Sequence, residues 1–150
     1  MTEKRVSFTL ESTLESVNLA EEKTEKVSAE LGFSDEDCHR LAMSVREAMV
    51  NAVLHGNAYD PKKRVTLVFE HDGKKLTITI VDEGKGLDAA LLPDPLAPEN
   101  LLKQSGRGIF LMRSFMDDVQ IRNLKPGTEV KLTKSVGAEG AEEAREDEKQ

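Results

Sequence analysis

One helix constrains this chain more than any other part of it. Cys38, Leu41, Ala42, Val45, Ala48, Met49, Ala52 and Val53 recur at steps of three and four residues. That spacing makes a single apolar face, which must be covered by another layer of structure. Beside it, Ser44, Glu47, Asn51 and His55 fall at steps of three, four and four, forming a polar stripe along the edge. A carboxylate and a carboxamide one turn apart, at the margin of a core, suit a proton acceptor and a hard cation. Mg²⁺ takes oxygen ligands and keeps several waters, so one protein amide oxygen and substrate phosphates can complete its shell. The same four residues also read as the ordinary polar edge of a half-exposed helix.

Two later segments carry related chemistry. Asp82-Glu-Gly84-Lys-Gly86 follows the alternating run Leu76-Thr-Ile78-Thr-Ile80-Val81, which reads as a strand. A carboxylate at a strand end suits a ligand that donates N–H groups, and the glycines permit positive φ and close approach of the backbone. Ser105-Gly106-Arg-Gly108-Ile-Phe-Leu-Met-Arg113-Ser-Phe-Met116 opens a further helix. Backbone N–H groups at a glycine-rich helix start, with the positive end of the dipole, suit phosphate oxygens. Taken singly, each segment also fits a plain loop, or a helix that begins after glycines.

In this order and spacing, the three segments resemble the N, G1 and G2 boxes of the GHKL ATPase superfamily, whose nucleotide-binding architecture is called the Bergerat fold. The likeness is strongest to the anti-sigma factor serine/threonine kinases, bacterial relatives of histidine kinases. Arg46-Glu-Ala-Met-Val-Asn51-Ala-Val-Leu-His-Gly-Asn57, Gly106-Arg-Gly-Ile-Phe-Leu-Met112 and Met116-Asp-Asp-Val119 carry it. It covers roughly residues 5 to 134.

The pattern of elements is compatible with that fold. Arg5-Val-Ser-Phe-Thr-Leu10 alternates as a first strand, and Ser12-Thr-Leu-Glu15 reads as a capping box for a helix reaching about Leu31. Gly32 ends this helix. Ser34 caps the next, whose first turn holds Asp35, Glu36 and Asp37 against the positive end of the dipole. Residues 64–70 and 75–82 read as strands joined at Asp72-Gly73, and residues 118–124 and 128–134 as strands joined at Pro126-Gly127. Pro93, Pro95 and Pro98 interrupt residues 87–105, which read as a mobile lid or, alternatively, as a passive surface loop. The expectation is an α+β, Bergerat-type two-layer sandwich: a mixed, mostly antiparallel sheet with helices on one face. Residues 1–134 would form one histidine kinase-like ATP-binding domain, followed by an acidic, disordered tail over 135–150.

Composition narrows the class. The 150 residues are 33% charged and 38% hydrophobic, which fits a globular chain with a proper core. Net charge is −7, of which residues 135–150 contribute −4. That balance argues against direct nucleic-acid binding, which relies on Lys and Arg against phosphate. Cys38 is the only cysteine, so no intrachain disulfide can form. The chain has neither an apolar run of membrane-spanning length nor a signal-peptide pattern, so a cytoplasmic location is expected.

The resemblance implies roles for individual residues. Glu47 would be the catalytic base and Asn51 would hold Mg²⁺ against the phosphates of ATP. Asp82 would accept the adenine amino group, which guanine lacks. Gly84 and Gly86 would hinge the lid. Gly106, Arg107, Gly108 and Ile109 would cradle phosphate through their backbone amides. Thr128 would assist Asp82 near the adenine through its hydroxyl, often by way of water, unless it is a strand threonine satisfied locally. Some relatives carry an arginine two residues before the first glycine of the third box, where this chain has Gln104; Arg107 or Lys103 would then supply the charge. The histidines are at 39, 55 and 71 only and none lies on the first helix, which argues against an autophosphorylating histidine kinase. The implied activity is phosphoryl transfer from Mg·ATP to a STAS-domain antagonist, with a sigma factor as competing partner and a homodimer as the assembly. An ATP-gated protein-binding module with negligible transfer is the alternative.

Overall fold

The computed structural model describes residues 4–84 and 112–136. Its elements are β1 (Lys4–Glu11), α1 (Leu14–Leu31), α2 (Asp35–Val50), β2 (Arg64–His71), β3 (Lys75–Val81), β4 (Asp118–Asn123) and β5 (Thr128–Ser135). A π-helical turn, Asn51–Gly56, prolongs α2 without a break. Residues 112–115 are also helical. The expected lid over 87–105 and most of the expected tail lie outside the described residues.

The strands form one sheet in the order β1-β2-β3-β5-β4. Each of the four pairings is antiparallel, so the α+β two-layer expectation holds with an antiparallel sheet among the described strands. Register sorts the faces. Leu10 pairs with Val65, Leu67 with Ile80, Ile78 with Leu132, and Leu132 with Val119. Directly opposed residues share a face, so this apolar set lines one side and packs on Val17, Ala20, Leu41, Val45, Ala48 and Met49 of the helices. Burial of each large side chain here contributes about 1.5–3 kcal/mol. All eight residues of the apolar face read along residues 38–53 are buried. Met112 and Met116 are buried and Phe115 packs against the core, so these side chains act as core rather than as a surface patch.

The helix caps follow local chemistry, with one displacement. Ser34 caps α2 as expected, its hydroxyl accepting from Asp37 N. At α1 the cap is Thr13, whose side chain accepts from Ser16 N at 3.2 Å. The Ser12/Glu15 capping box does not form, because the Ser12 hydroxyl donates to the Lys63 carbonyl, 51 residues away. α1 and α2 are then tied across their surfaces by Arg46, which reaches Glu21 at 2.8 Å and Asn18 at 3.1 Å. Cys38 is buried, donates weakly to the Phe33 carbonyl, and has its thiol pKa pushed up by burial. It is an inert packed side chain.

Candidate functional site

The end of α2, the π-turn and the exit from β3 meet at Asp82. In a π-helix the hydrogen bonds close from i to i+5, and such turns are frequent at functional sites. Here the wider turn begins at Asn51, one turn after Glu47, and delivers Gly56 against the Asp82 side chain. A methyl group on Gly56 would lie 2.5 Å from the Asp82 carboxyl carbon. On the other side of the joint, a methyl on Gly84 would collide with the Gly56 carbonyl oxygen. Gly84 is therefore needed for close approach. Positive φ is not the reason: the glycines that adopt it among the described residues are Gly32, Gly73 and Gly127. Gly127, with φ 102°, lets the β4–β5 turn sit against the Asp82 carbonyl.

The Asp82 carboxylate is 6% exposed. Its Oδ1 accepts two backbone N–H groups, Gly84 at 2.9 Å and Thr128 at 3.2 Å. Thr128 is also held through its carbonyl, which accepts from Asp82 N at 3.0 Å. Among the described residues both donors fall on Oδ1, while Oδ2 lies on the side of Gly56. Burial raises the Asp82 pKa; the Gly84 and Thr128 amides and the Lys63 charge oppose this.

Glu47 lies in the last turn of α2, half-buried, with its pKa raised by burial and partly restored by the charge of His55. His55 itself is exposed at the end of the π-turn. Asn51 is half-buried at the start of that turn. Ser44 does not continue the stripe as a free group: it is buried and its hydroxyl donates to the Arg40 carbonyl at 2.9 Å. The structure thus brings Asp82, Gly84 and Thr128 together and places Glu47 and Asn51 on the helix that leads into them. Gly86, Lys103, Gln104, Gly106, Arg107, Gly108 and Ile109 lie outside the described residues.

Two residues of this joint were not singled out for a role. Gly56 sets the approach of the π-turn to Asp82. Asn57, next in the chain, is 1% exposed and bonds to three separate segments. The available signal was the pair Gly56-Asn57 directly after the polar stripe, where a glycine and an amide end a helix. Beside them, residues 55–61 and Lys63 line an open cavity of about 560 Å³. Within it Ala58 and Tyr59 hold left-handed backbone conformations, φ 51° and 59°. Such conformations cost of order 1–3 kcal/mol each and persist where surrounding structure imposes them. Here the Tyr59 amide is held by the Val53 carbonyl at 3.0 Å.

Comparison with known proteins identifies the family and the fold. Residues 10–134 match the histidine kinase-like ATPase domain. The chain is 32% identical over 116 residues to the anti-sigma F factor of Thermoanaerobacter sp. (strain X514), covering 75% of this chain and 80% of that protein. It is 29% identical over 119 residues to the serine-protein kinase RsbW of Bacillus subtilis, covering 75% and 74%. Among solved structures, the RsbU and RsbW domains of a Mycobacterium tuberculosis protein share the fold, with a TM-score of 0.65 at 19% identity. That match covers 87% of this chain but only 32% of the other. The resemblance read from the three sequence boxes is borne out by these relatives. Among the described residues, no helix is long and apolar enough to cross a membrane.

Proposed function

Because the chain belongs to the histidine kinase-like ATPase domain family, we propose that it binds Mg·ATP and transfers the γ-phosphoryl group to a serine or threonine of a STAS-type antagonist. A sigma factor would be its competing partner. The observation that carries the nucleotide reading is the Asp82 carboxylate, buried at the end of β3 and pinned through Oδ1 by two backbone amides. An acceptor held in this way suits the exocyclic amine of adenine and leaves a buried group unpaired with guanine, which presents a carbonyl there. Leaving a buried acceptor unmatched costs about 1–3 kcal/mol, so ATP is preferred over GTP.

The transfer chemistry falls to α2. The acceptor hydroxyl oxygen bonds to the γ-phosphorus, the bridging P–O bond breaks, and ADP carries away the electron pair. Glu47 takes the hydroxyl proton. Its burial makes it a stronger base than a solvated carboxylate, which helps this step. Asn51, one turn further on, offers an amide oxygen suited to Mg²⁺. When bound, that ion would neutralise charge on the phosphates. Among the described residues, no group of three or more His, Cys, Asp or Glu is set to hold a metal. A single amide oxygen suits a cation that takes most of its ligands from phosphate and water. The names of the relatives, an anti-sigma F factor and a serine-protein kinase, support the partner-switch reading.

The test uses labelled ATP with an STAS-domain protein as acceptor. The native chain is expected to label that protein on serine or threonine. Glu47→Ala is expected to bind ATP within about twofold of native and to lose label transfer by at least ~100-fold, the scale of a general base. Equal transfer by both proteins would remove Glu47 from the chemistry. ATP binding without transfer in the native chain would leave a nucleotide-gated binding module.

A further inference from the structure

Asn57 sits at a junction whose geometry reaches beyond holding the fold together. Its Nδ2 donates to Ser12 Oγ at 2.9 Å and to the Arg64 carbonyl at 3.1 Å, while its Oδ1 accepts from Glu83 N at 2.8 Å. The direction of every bond is forced. The Arg64 carbonyl can only accept and the Glu83 amide can only donate, so the side-chain amide has one possible orientation. Ser12 gives its own proton to the Lys63 carbonyl at 2.7 Å and is left as an acceptor. The end of β1, the start of β2 and the exit from β3 are therefore gathered on one buried side chain.

The position of the Glu83 bond gives this junction its consequence. Glu83 follows Asp82, and Asn57 follows Gly56, the residue pressed on the Asp82 carboxylate. The Asn57–Glu83 bond closes a short ring: Gly56 to Asn57 along the chain, Asn57 to Glu83 through the side chain, Glu83 back to Asp82, and Asp82 to Gly56 by contact. That ring fixes how far the π-turn stands from the end of β3. Within that ring the Gly84 and Thr128 amides orient the Asp82 carboxylate through Oδ1, and Gly56 packs against its carboxyl group. Glu83 reinforces the junction, its side chain accepting from Arg64 N at 2.6 Å.

We infer that Asn57 is a positioning residue for nucleobase selection, holding the π-turn and the β3 exit at the spacing in which the Asp82 carboxylate meets an adenine amine. This rests on the reading of Asp82 as the adenine acceptor. Asn57 touches no nucleotide in this scheme and acts through Glu83 and Gly56. A merely structural asparagine would, on replacement, lower stability and the fraction of folded protein. It would leave the preference between bases where it was.

The experiment measures dissociation constants for Mg·ATP and Mg·GTP, with melting temperature and binding stoichiometry, on native protein, Asn57→Ala, Asn57→Asp and Ser12→Ala. Asn57→Ala is expected to lower the ATP-over-GTP ratio by about tenfold, the scale of one lost buried hydrogen bond. Asn57→Asp keeps an oxygen facing Glu83 N and should retain most of the ratio. Ser12→Ala should melt earlier with the native ratio intact. In the native chain the coupling must also run in reverse, so ATP, and not GTP, should slow hydrogen exchange at the Glu83 amide. An unchanged ratio in folded Asn57→Ala overturns the inference, as does Glu83 exchange indifferent to ATP. A native protein with no preference for ATP would sink the Asp82 reading itself, and the titration of native protein alone would reveal that.

Discussion

At Asp82, two backbone donors share one carboxylate oxygen, and burial works against the charge they hold. The net effect is a pKa above the ordinary carboxyl value of 3.8. The folded state therefore binds a proton more readily than the unfolded chain does. Its cost for burying the charge is complete at pH values above the folded pKa. It fades as pH falls through that value and is gone below the unfolded one. Asp82→Asn removes the charge and keeps an oxygen for the Gly84 and Thr128 amides. Without nucleotide, the variant should be more stable than native protein at pH 7, and the gap should close as pH is lowered towards 4. Urea midpoints across that range decide it; a variant weaker than native at pH 7 would mean that the two hydrogen bonds outweigh desolvation. The sequence made Asp82 a candidate through its place between a strand and two glycines. It could not show that Gly84 supplies space rather than handedness, because a glycine code letter is the same for both uses.

At the scale of elements, the π-turn is the feature that the hydrophobic pattern cannot distinguish. Ala52 and Val53 are buried whether the chain continues as an α-helix or widens by a residue per turn. The helix was legible and its changed pitch was not. The cap of α1 is a related case. Ser12 and Thr13 are equivalent as caps in local chemistry, and the choice fell to Thr13 because Lys63 and Asn57, far along the chain, occupy Ser12. The π-turn also sets a firm steric limit, since the Gly56 carbonyl fills the place of any side chain at Gly84. The three nearest atoms are all Gly56 backbone and cannot rotate away. Gly84→Ala should therefore cost ~3 kcal/mol, the upper end for overpacking, seen as a lower urea midpoint. The same variant should lose ATP affinity in the fraction that folds, because the Gly84 amide is one of the two donors on Asp82. A variant of native stability would show that the β3 exit can move away from the π-turn at little cost.

Over the whole molecule, the sheet order explains why distant stretches of sequence share one site. The β3–β5 pairing sets Val81 opposite Glu129, so the residues that follow β3 emerge beside the start of β5. That is what places Thr128 within reach of Asp82. Alternation and turn signals identified the five described strands without revealing that β5, rather than β4, lies next to β3. The order depends on long-range pairing that no local pattern records. One consequence is measurable in the stability of the entire fold. If ATP bridges the π-turn and the β3 exit, it binds only where both are assembled, so the ligand stabilises the folded state by mass action. At a hundredfold excess over the dissociation constant, this amounts to about 2.7 kcal/mol. For a chain of this length, that corresponds to a rise in melting temperature of about 5–11 °C. Thermal unfolding of the native chain with Mg·ATP should show that rise. With Mg·GTP the rise should be smaller, and in Asp82→Asn it should be absent even though that variant begins from a higher melting temperature at pH 7. The opposite signs of the two effects, higher intrinsic stability and no response to ligand, separate a functional carboxylate from one that only holds the fold. A structural Asp82 would instead lower the melting temperature on replacement and leave the ATP-dependent rise in place.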